Sequence, residues 1–85
     1  MLRITRVAKR DVVFELSGRM GAENVSELET LISAEPSGQR IVLDLKDLRQ
    51  VDQDGVSFFG RCEANGIELK NCPAYVREWI TGERR

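Results

Sequence analysis

The chain has 85 residues, of which 41% are hydrophobic and 32% charged, and its formal net charge is −1. This length and composition fit one small globular domain with its own core, so we expect a single domain over residues 1–85. The balanced charge gives no bulk field for nucleic acid or an anionic membrane. No apolar run approaches the roughly 18 residues of a bilayer span. With no signal-peptide pattern at the start, the predicted location is the cytoplasm.

The first two elements are predicted to be strands of an antiparallel hairpin. Leu2 and Ile4 alternate with polar residues, as in a half-exposed edge strand near 2–7. A second apolar run near 11–17 follows after a short polar break, which favours a hairpin. Charged residues discourage edge-to-edge pairing, so we interpret the basic start of the chain as protection of this edge strand. These basic residues are Arg3, Arg6, Lys9 and Arg10.

A loop, a helix and a central strand are predicted next. Gly18 to Gly21 is interpreted as the loop. The helix, near 22–34, has apolar residues at helical spacing and glutamates on its solvated face, and it ends before Pro36 and Gly38. The run near 40–45 is apolar on both faces, which predicts a central strand. The apolar helix residues are Val25, Leu28, Leu31 and Ile32, and the glutamates are Glu23, Glu27 and Glu29.

Two further helices and a short strand complete the predicted order. A helix near 55–64 ends at Asn65-Gly66, and a strand near 67–70 follows it. Pro73 suits the first turn of a third helix near 73–81. The order β-β-α-β-α-β-α predicts an α/β fold with a small mixed sheet of about four strands packed against helices. The helix residues expected in the core are Phe58, Phe59, Cys62, Val76, Trp79 and Ile80.

The residue types argue against catalysis and metal binding. The chain has no histidine, so the common general base and the usual hydrolase triads are missing. Cys62 and Cys72 have no histidine to complete a zinc site, and without a secretion signal we interpret them as thiols rather than a disulfide. We therefore expect no enzymatic turnover, no cofactor and no metal.

The segment Asp52-Gln53-Asp54-Gly55 is the candidate functional site, because it places two carboxylates at the start of a predicted helix. A purely structural interpretation is also open. Asp52 is well placed as the helix N-cap, Asp54 gains stability from the helix dipole, and Gly55 allows close packing or a permissive backbone at the turn. The exposed side of the same helix, with Ser57 and Arg61, extends this candidate site.

Two alternative interpretations of the D-x-D-G pattern fit less well. Phosphatases of the haloacid-dehalogenase type place this pattern after a buried strand, with one aspartate as nucleophile. Here 48–51 reads as a polar connection, Val56 stands where such enzymes favour threonine, and the chain is short. An EF-hand loop requires its glycine at position 6, whereas here the glycine falls too early. A phosphatase-like activity stays as a minor alternative.

The order of elements and the motif spacing resemble the STAS domain of bacterial anti-sigma-factor antagonists. The matching residues read Asp44-Leu45-Lys46-Asp47-Leu48 and then Val51-Asp52-Gln53-Asp54-Gly55, with Gly18 at the turn that closes the second strand. The resemblance covers nearly the whole chain. It implies a non-catalytic switch protein that binds an anti-sigma factor, a partner that is also a serine kinase.

In the family, a serine or threonine just before the glycine is phosphorylated by that partner, and the unphosphorylated form binds it. Asp54 stands at that position here and Gln53 replaces the preceding serine. Asp54 cannot accept phosphate from a serine kinase, so we expect it to fix the protein in one signalling state. Ser57 is the nearby hydroxyl that could restore phosphorylation control. We expect a monomer or weak dimer, with no nucleic acid and no direct membrane insertion; the alternative is a small STAS subunit of a transport or signalling assembly.

Overall fold

A computed structural model describes residues 1–83 of the chain, which form four strands and three helices in the predicted order β-β-α-β-α-β-α. The expectation of one domain over 1–85 stays a prediction, and residues 84 and 85 lie outside the described part. The elements are β1 (Leu2–Ala8), β2 (Val12–Met20), α1 (Ala22–Ser33), β3 (Ile41–Val51), α2 (Gln53–Ala64), β4 (Glu68–Lys70) and α3 (Ala74–Glu83).

The four strands form one mixed sheet in the order β1-β2-β3-β4. The antiparallel hairpin of β1 and β2 is confirmed, and the parallel pairs β2–β3 and β3–β4 make the sheet mixed, as predicted. The prediction that β3 is central is also confirmed, since it lies between β2 and β4. The fold is therefore a small α/β unit whose parallel strands β2 and β3 end at the same edge of the sheet.

The prediction that the third strand ends near residue 45 is wrong, because β3 continues to Val51. Its pairing with β2 shifts twice. Glu15 aligns with Asp44 but Ser17 aligns with Asp47, so β3 gains one residue relative to β2, and a second shift follows Gly18. Each extra residue is a bulge that turns the strand about its axis.

The bulges explain why the sequence pattern of residues 48–51 predicts a polar connection instead of a strand. Leu45, Leu48 and Val51 are all buried, although a regular strand buries alternate residues on one face. These buried residues are three positions apart, which does not match the period of two of a regular strand. Leu48 and Val51 therefore belong to the core, and the segment before Asp52 is a buried strand rather than a loop.

The predicted loop from Gly18 to Gly21 is largely strand as well, because β2 continues to Met20. Gly18 has a φ of +95°, and a Cβ built there would lie 2.4 Å from the Met1 carbonyl oxygen. Only glycine fits this close approach of two backbones. The glycine thus lets β2 extend beyond the bulge, and Met20 is fully buried at its end.

All three helices contribute to one hydrophobic core with the sheet. Two predicted core residues are exceptions: Trp79 is 39% exposed and Leu31 is 37% exposed. In α3 the buried stripe is narrower than predicted and consists of Val76 and Ile80. The core residues of the helices are Leu28, Val56, Phe58, Phe59, Cys62, Val76 and Ile80, and those of the strands are Val12, Phe14, Leu16, Met20, Leu43, Leu45, Leu48 and Val51.

Candidate functional site

Asp52 caps the start of α2, as predicted. Its backbone is extended, with φ −88° and ψ 179°, and its Oδ1 accepts a hydrogen bond from the Gly55 N–H at 2.9 Å. The second carboxylate oxygen, Oδ2, accepts from the Ala22 N–H at 3.2 Å. Ala22 is the first residue of α1. One carboxylate therefore satisfies an unpaired N–H group at the start of each of two helices.

The parallel pairing of β2 and β3 brings these two helix starts together. Met20 aligns with Val51 at the strand ends, and the Asp52 N–H donates to the Met20 carbonyl oxygen at 3.1 Å. The N-cap of α1 is Gly21, which has no side chain to cap the helix, although its own N–H donates to Asn24 Oδ1 at 3.0 Å. The helix α1 thus receives its side-chain cap from the start of α2, a role of Asp52 that the sequence pattern did not show.

Gly55 is buried where α2 packs against the two strand ends. A Cβ at this position would lie 2.8 Å from Val51 Cγ1 and 3.0 Å from Met20 Cγ. Both distances are shorter than ordinary carbon–carbon contact, so any larger residue would push α2 away from the sheet. The expected close-packing role of Gly55 is confirmed.

Asp54 differs from Asp52 in every contact. Like Asp52 it is exposed, and it lies in the first turn of α2, but its side chain makes no hydrogen bond or ion pair with any described residue. Gln53 beside it is exposed too. The helix dipole favours a carboxylate at this place, but the described residues offer the Asp54 side chain no specific partner.

A shallow depression of about 470 Å³ joins part of the predicted site. Its lining combines Asp54, Ser57 and Arg61 of α2 with Ala22 and Val25 of α1. The structure therefore brings three predicted site residues together on the outer side of α2, whereas Asp52 and Gly55 face the strand ends. Asp54 and Arg61 place opposite charges at this depression, which suits a partner surface that also carries both charges.

A second depression of about 290 Å³ adjoins the first along α2. Arg61 lines both, and its guanidinium carbon lies 5.9 Å from the centre of the Phe58 ring, within the range of a cation–π contact. The floor of the second depression includes Ile32, Cys62 and Ile67. Together the two depressions form a groove between α1 and α2, which we call the α1–α2 groove.

Neither cysteine has the properties of a nucleophile. Both are free thiols; Cys62 is buried and Cys72 is half-buried. Burial raises the pKa of the Cys62 thiol to about 11, so it stays protonated at neutral pH. Burial also raises the pKa of Cys72. The groove therefore contains an inert thiol in its floor.

Among the side chains of residues 1–82, no cluster of three or more histidine, cysteine, aspartate or glutamate residues is placed to hold a metal ion. In the same part of the chain, no helix is both long and apolar enough to cross a membrane.

The corrected end of β3 removes one argument against a phosphatase, because the D-x-D-G segment does follow a buried strand. The contacts of Asp52 supply a different argument. A nucleophilic aspartate needs an oxygen directed at the substrate, whereas both Asp52 oxygens accept backbone N–H groups.

Comparison with known proteins identifies the fold. No protein-family model matches the chain, and no curated protein matches it in sequence. Among solved structures, the anti-sigma factor antagonist SpoIIAA in its unphosphorylated form is similar, with a TM-score of 0.62 and 20% identity over 92% of this chain and 79% of that one.

Two further structures share the architecture. A protein of the DUF3478 family from Shewanella loihica PV-4, described as having a SpoIIAA-like fold, has a TM-score of 0.59 and 12% identity over 98% of this chain and 75% of its own. The protein Mglu has a TM-score of 0.63 and 18% identity over 85% of this chain but only 19% of its own length. The chain therefore has the SpoIIAA-like, STAS-like fold that its motifs resemble.

Proposed function

We propose that this chain is a non-catalytic regulatory module that binds a protein partner through the start of α2 and the α1–α2 groove. The partner class is an anti-sigma factor with a kinase-like domain, because the fold is shared with an anti-sigma factor antagonist. The observation that carries the proposal is the contrast at the start of α2. Both residues are exposed, but both carboxylate oxygens of Asp52 accept backbone N–H groups, whereas the Asp54 side chain has no hydrogen-bond or ion-pair partner among the described residues.

Asp54 occupies the place at which the resembling family carries its phosphorylated residue. An aspartate supplies a permanent −1 charge there, compared with about −1.5 to −2 for a phosphoserine. A phosphatase cannot remove this charge. We therefore propose that Asp54 holds the protein in the state that phosphorylation produces in its switchable relatives, which is the state of low affinity for the kinase-like partner.

The groove supplies the rest of the proposed surface. Its apolar floor offers a contact for an apolar partner side chain, and Asp54 and Arg61 at its rim fix the orientation by charge. Ser57 lies between the two charged residues in the same depression. Its hydroxyl is the second candidate site of phosphorylation on this surface.

A paired capture experiment tests the proposed partner. The wild-type protein and Asp54→Ser are used as bait in extracts of the native cell, and the recovered proteins are identified by mass spectrometry. We expect Asp54→Ser to enrich a protein with a kinase-like ATP-binding domain that also binds a sigma factor. Recovery of transport-system components by both baits would instead support a subunit of a larger assembly.

The recovered partner then allows a test of phosphate transfer. Incubation with ATP is expected to label Asp54→Ser and to leave the wild-type protein unlabelled, because a carboxylate is no substrate for a serine kinase. Ser57→Ala serves as the control in both backgrounds. Labelling of the wild-type protein that disappears in Ser57→Ala would show that phosphorylation control has moved to Ser57 and would contradict a fixed state.

A further inference from the structure

The outer edge of β1 is an open strand edge. β1 is the first strand in the sheet order, and within the described part of the chain no strand pairs with its outer side. Its register with β2 is continuous from Leu2 to Ala8, without a bulge. It also contains no proline. Two devices that usually block an exposed edge, a bulge and a proline, are therefore missing from β1.

The hydrogen-bond pattern shows which backbone groups face outward. At one end of the hairpin the Arg19 N–H donates to the Met1 carbonyl oxygen, and at the other the Lys9 N–H donates to the Asp11 carbonyl oxygen. Hydrogen-bonded pairs alternate along an antiparallel ladder. The odd-numbered residues of β1 therefore bond to β2. The residues that direct their N–H and C=O groups outward are Leu2, Ile4, Arg6 and Ala8.

This edge is also the basic part of the molecule. Residues 1–11 carry four basic side chains and one acidic side chain, a net charge of +3, whereas the whole chain carries −1. Arg6 forms a two-point ion pair with Glu35, with both N–O distances at 2.9 Å. Arg3 and Lys9 are exposed and have no ion-pair partner among the described residues. Two unneutralised cations thus lie at the two ends of the open edge.

We propose that the outer edge of β1 binds an extended acidic segment of a partner protein by strand addition. The outward N–H and C=O groups of β1 would bond to the backbone of the added strand, and carboxylates of that strand would lie near Arg3 and Lys9. The same charges act against a second copy of this chain, because two β1 edges would bring like charges together. This surface is separate from the α1–α2 groove and does not depend on the proposed function.

The test uses a short acetylated and amidated peptide that alternates glutamate with valine and threonine, with amide hydrogen exchange followed by NMR. In the free protein, the amides of Arg3, Thr5 and Val7 are expected to be protected, since they bond to β2. Saturating peptide is expected to slow exchange at the outward amides, those of Ile4 and Arg6 above all, by tenfold or more, about 1.4 kcal/mol.

Matched variants test the charge argument. Arg3→Glu is expected to weaken peptide binding by about tenfold. Lys70→Glu, an equal charge reversal on an exposed residue at the opposite edge of the sheet, is expected to change it by less than about twofold. A peptide with glutamine in place of glutamate is expected to bind more weakly than the acidic peptide. Circular dichroism of each variant checks that the fold is kept.

Three results would overturn the proposal. One is unchanged exchange at Ile4 and Arg6 with peptide in excess. Another is protection of these amides that rises with protein concentration alone, which would assign the edge to a second copy of the chain. The third is equal protection by the glutamine peptide or by a mixed-sequence oligonucleotide, because the site would then not select an acidic strand.

Discussion

The two sides of the start of α2 differ in how completely the fold uses them. On the inner side, Asp52 and Gly55 contact the ends of two strands and the start of α1 through hydrogen bonds and close packing. On the outer side, Asp54 and Arg61 line the α1–α2 groove, and Asp54 has no partner within residues 1–83. One short motif therefore holds two groups of residues with separate physical roles.

The contacts of each carboxylate show how far folding explains it. An aspartate whose two oxygens both accept backbone N–H groups is explained by folding alone. An exposed aspartate in a first helical turn is explained only in part, since the helix dipole stabilises it by about 0.3–1 kcal/mol. Stability measurements should therefore respond to Asp52 and Gly55, and binding measurements to Asp54.

The largest effect on stability is expected at Gly55. The added methyl group in Gly55→Ala would lie 2.8 Å from Val51 Cγ1, so α2 must shift, and we expect the free energy of unfolding to fall by about 2–3 kcal/mol. Gly60→Ala is the matched control on the same helix, because its Cβ would lie 3.7 Å from Ile80 Cγ2, an ordinary contact. It should stabilise the protein by about 0.5–1 kcal/mol. Urea denaturation of both variants measures the difference, and equal effects would refute the close packing at Gly55.

A smaller loss is expected when the cap is removed. Asp52→Ala leaves one N–H group of each helix start without its acceptor, at a cost of about 2 kcal/mol. Asp52→Asn keeps one acceptor oxygen and should lie between the alanine variant and the wild type. Hydrogen exchange at Ala22 and Gly55 tests the shared cap directly. If Asp52→Ala speeds exchange at Gly55 but leaves Ala22 unchanged, the carboxylate does not serve α1.

The burial of Cys62 also predicts a dependence on alkaline pH. The pKa of Cys62 is raised from 9.0 to about 11 by burial, so between these values the unfolded chain releases a thiol proton that the folded chain keeps. Stability from this source is present below pH 9 and is lost as the pH rises toward about 11. Urea denaturation at several pH values should show a steeper alkaline loss in the wild type than in Cys62→Ala. Equal slopes in the two proteins would contradict the burial of this thiol.

Hydrophobic periodicity was sufficient to predict most of the elements. The helices and the hairpin follow it because one face of each element packs on the core. The end of β3 could not be predicted this way. Its bulges place Leu45, Leu48 and Val51 on one face at a spacing of three, and bulges depend on the pairing with β2. In α3 the hydrophobic spacing also includes Trp79 in the buried face, but only Val76 and Ile80 are buried among its described side chains.

The candidate site was predicted in its residues but only partly in its contacts. The N-cap role of Asp52 follows from local sequence, since the cap and the N–H group that it accepts lie within one helical turn. Its bond to Ala22 requires Met20 and Val51 to align across the parallel strands, a tertiary relation that no local pattern records. For the same reason, Val25 of α1 was not expected to share a depression with Asp54.

The affinity of Asp54 variants for the recovered partner shows whether the Asp54 charge controls partner binding. Asp54→Ser and Asp54→Asn remove an exposed charge that has no side-chain partner among the described residues, so the free energy of unfolding should fall by no more than about 1 kcal/mol, the contribution of the helix dipole. Isothermal titration calorimetry should show that both variants bind the kinase-like partner at least tenfold more tightly than the wild type, a gain of about 1.4 kcal/mol. Equal affinity of the wild type and both variants would show that Asp54 only stabilises its helix.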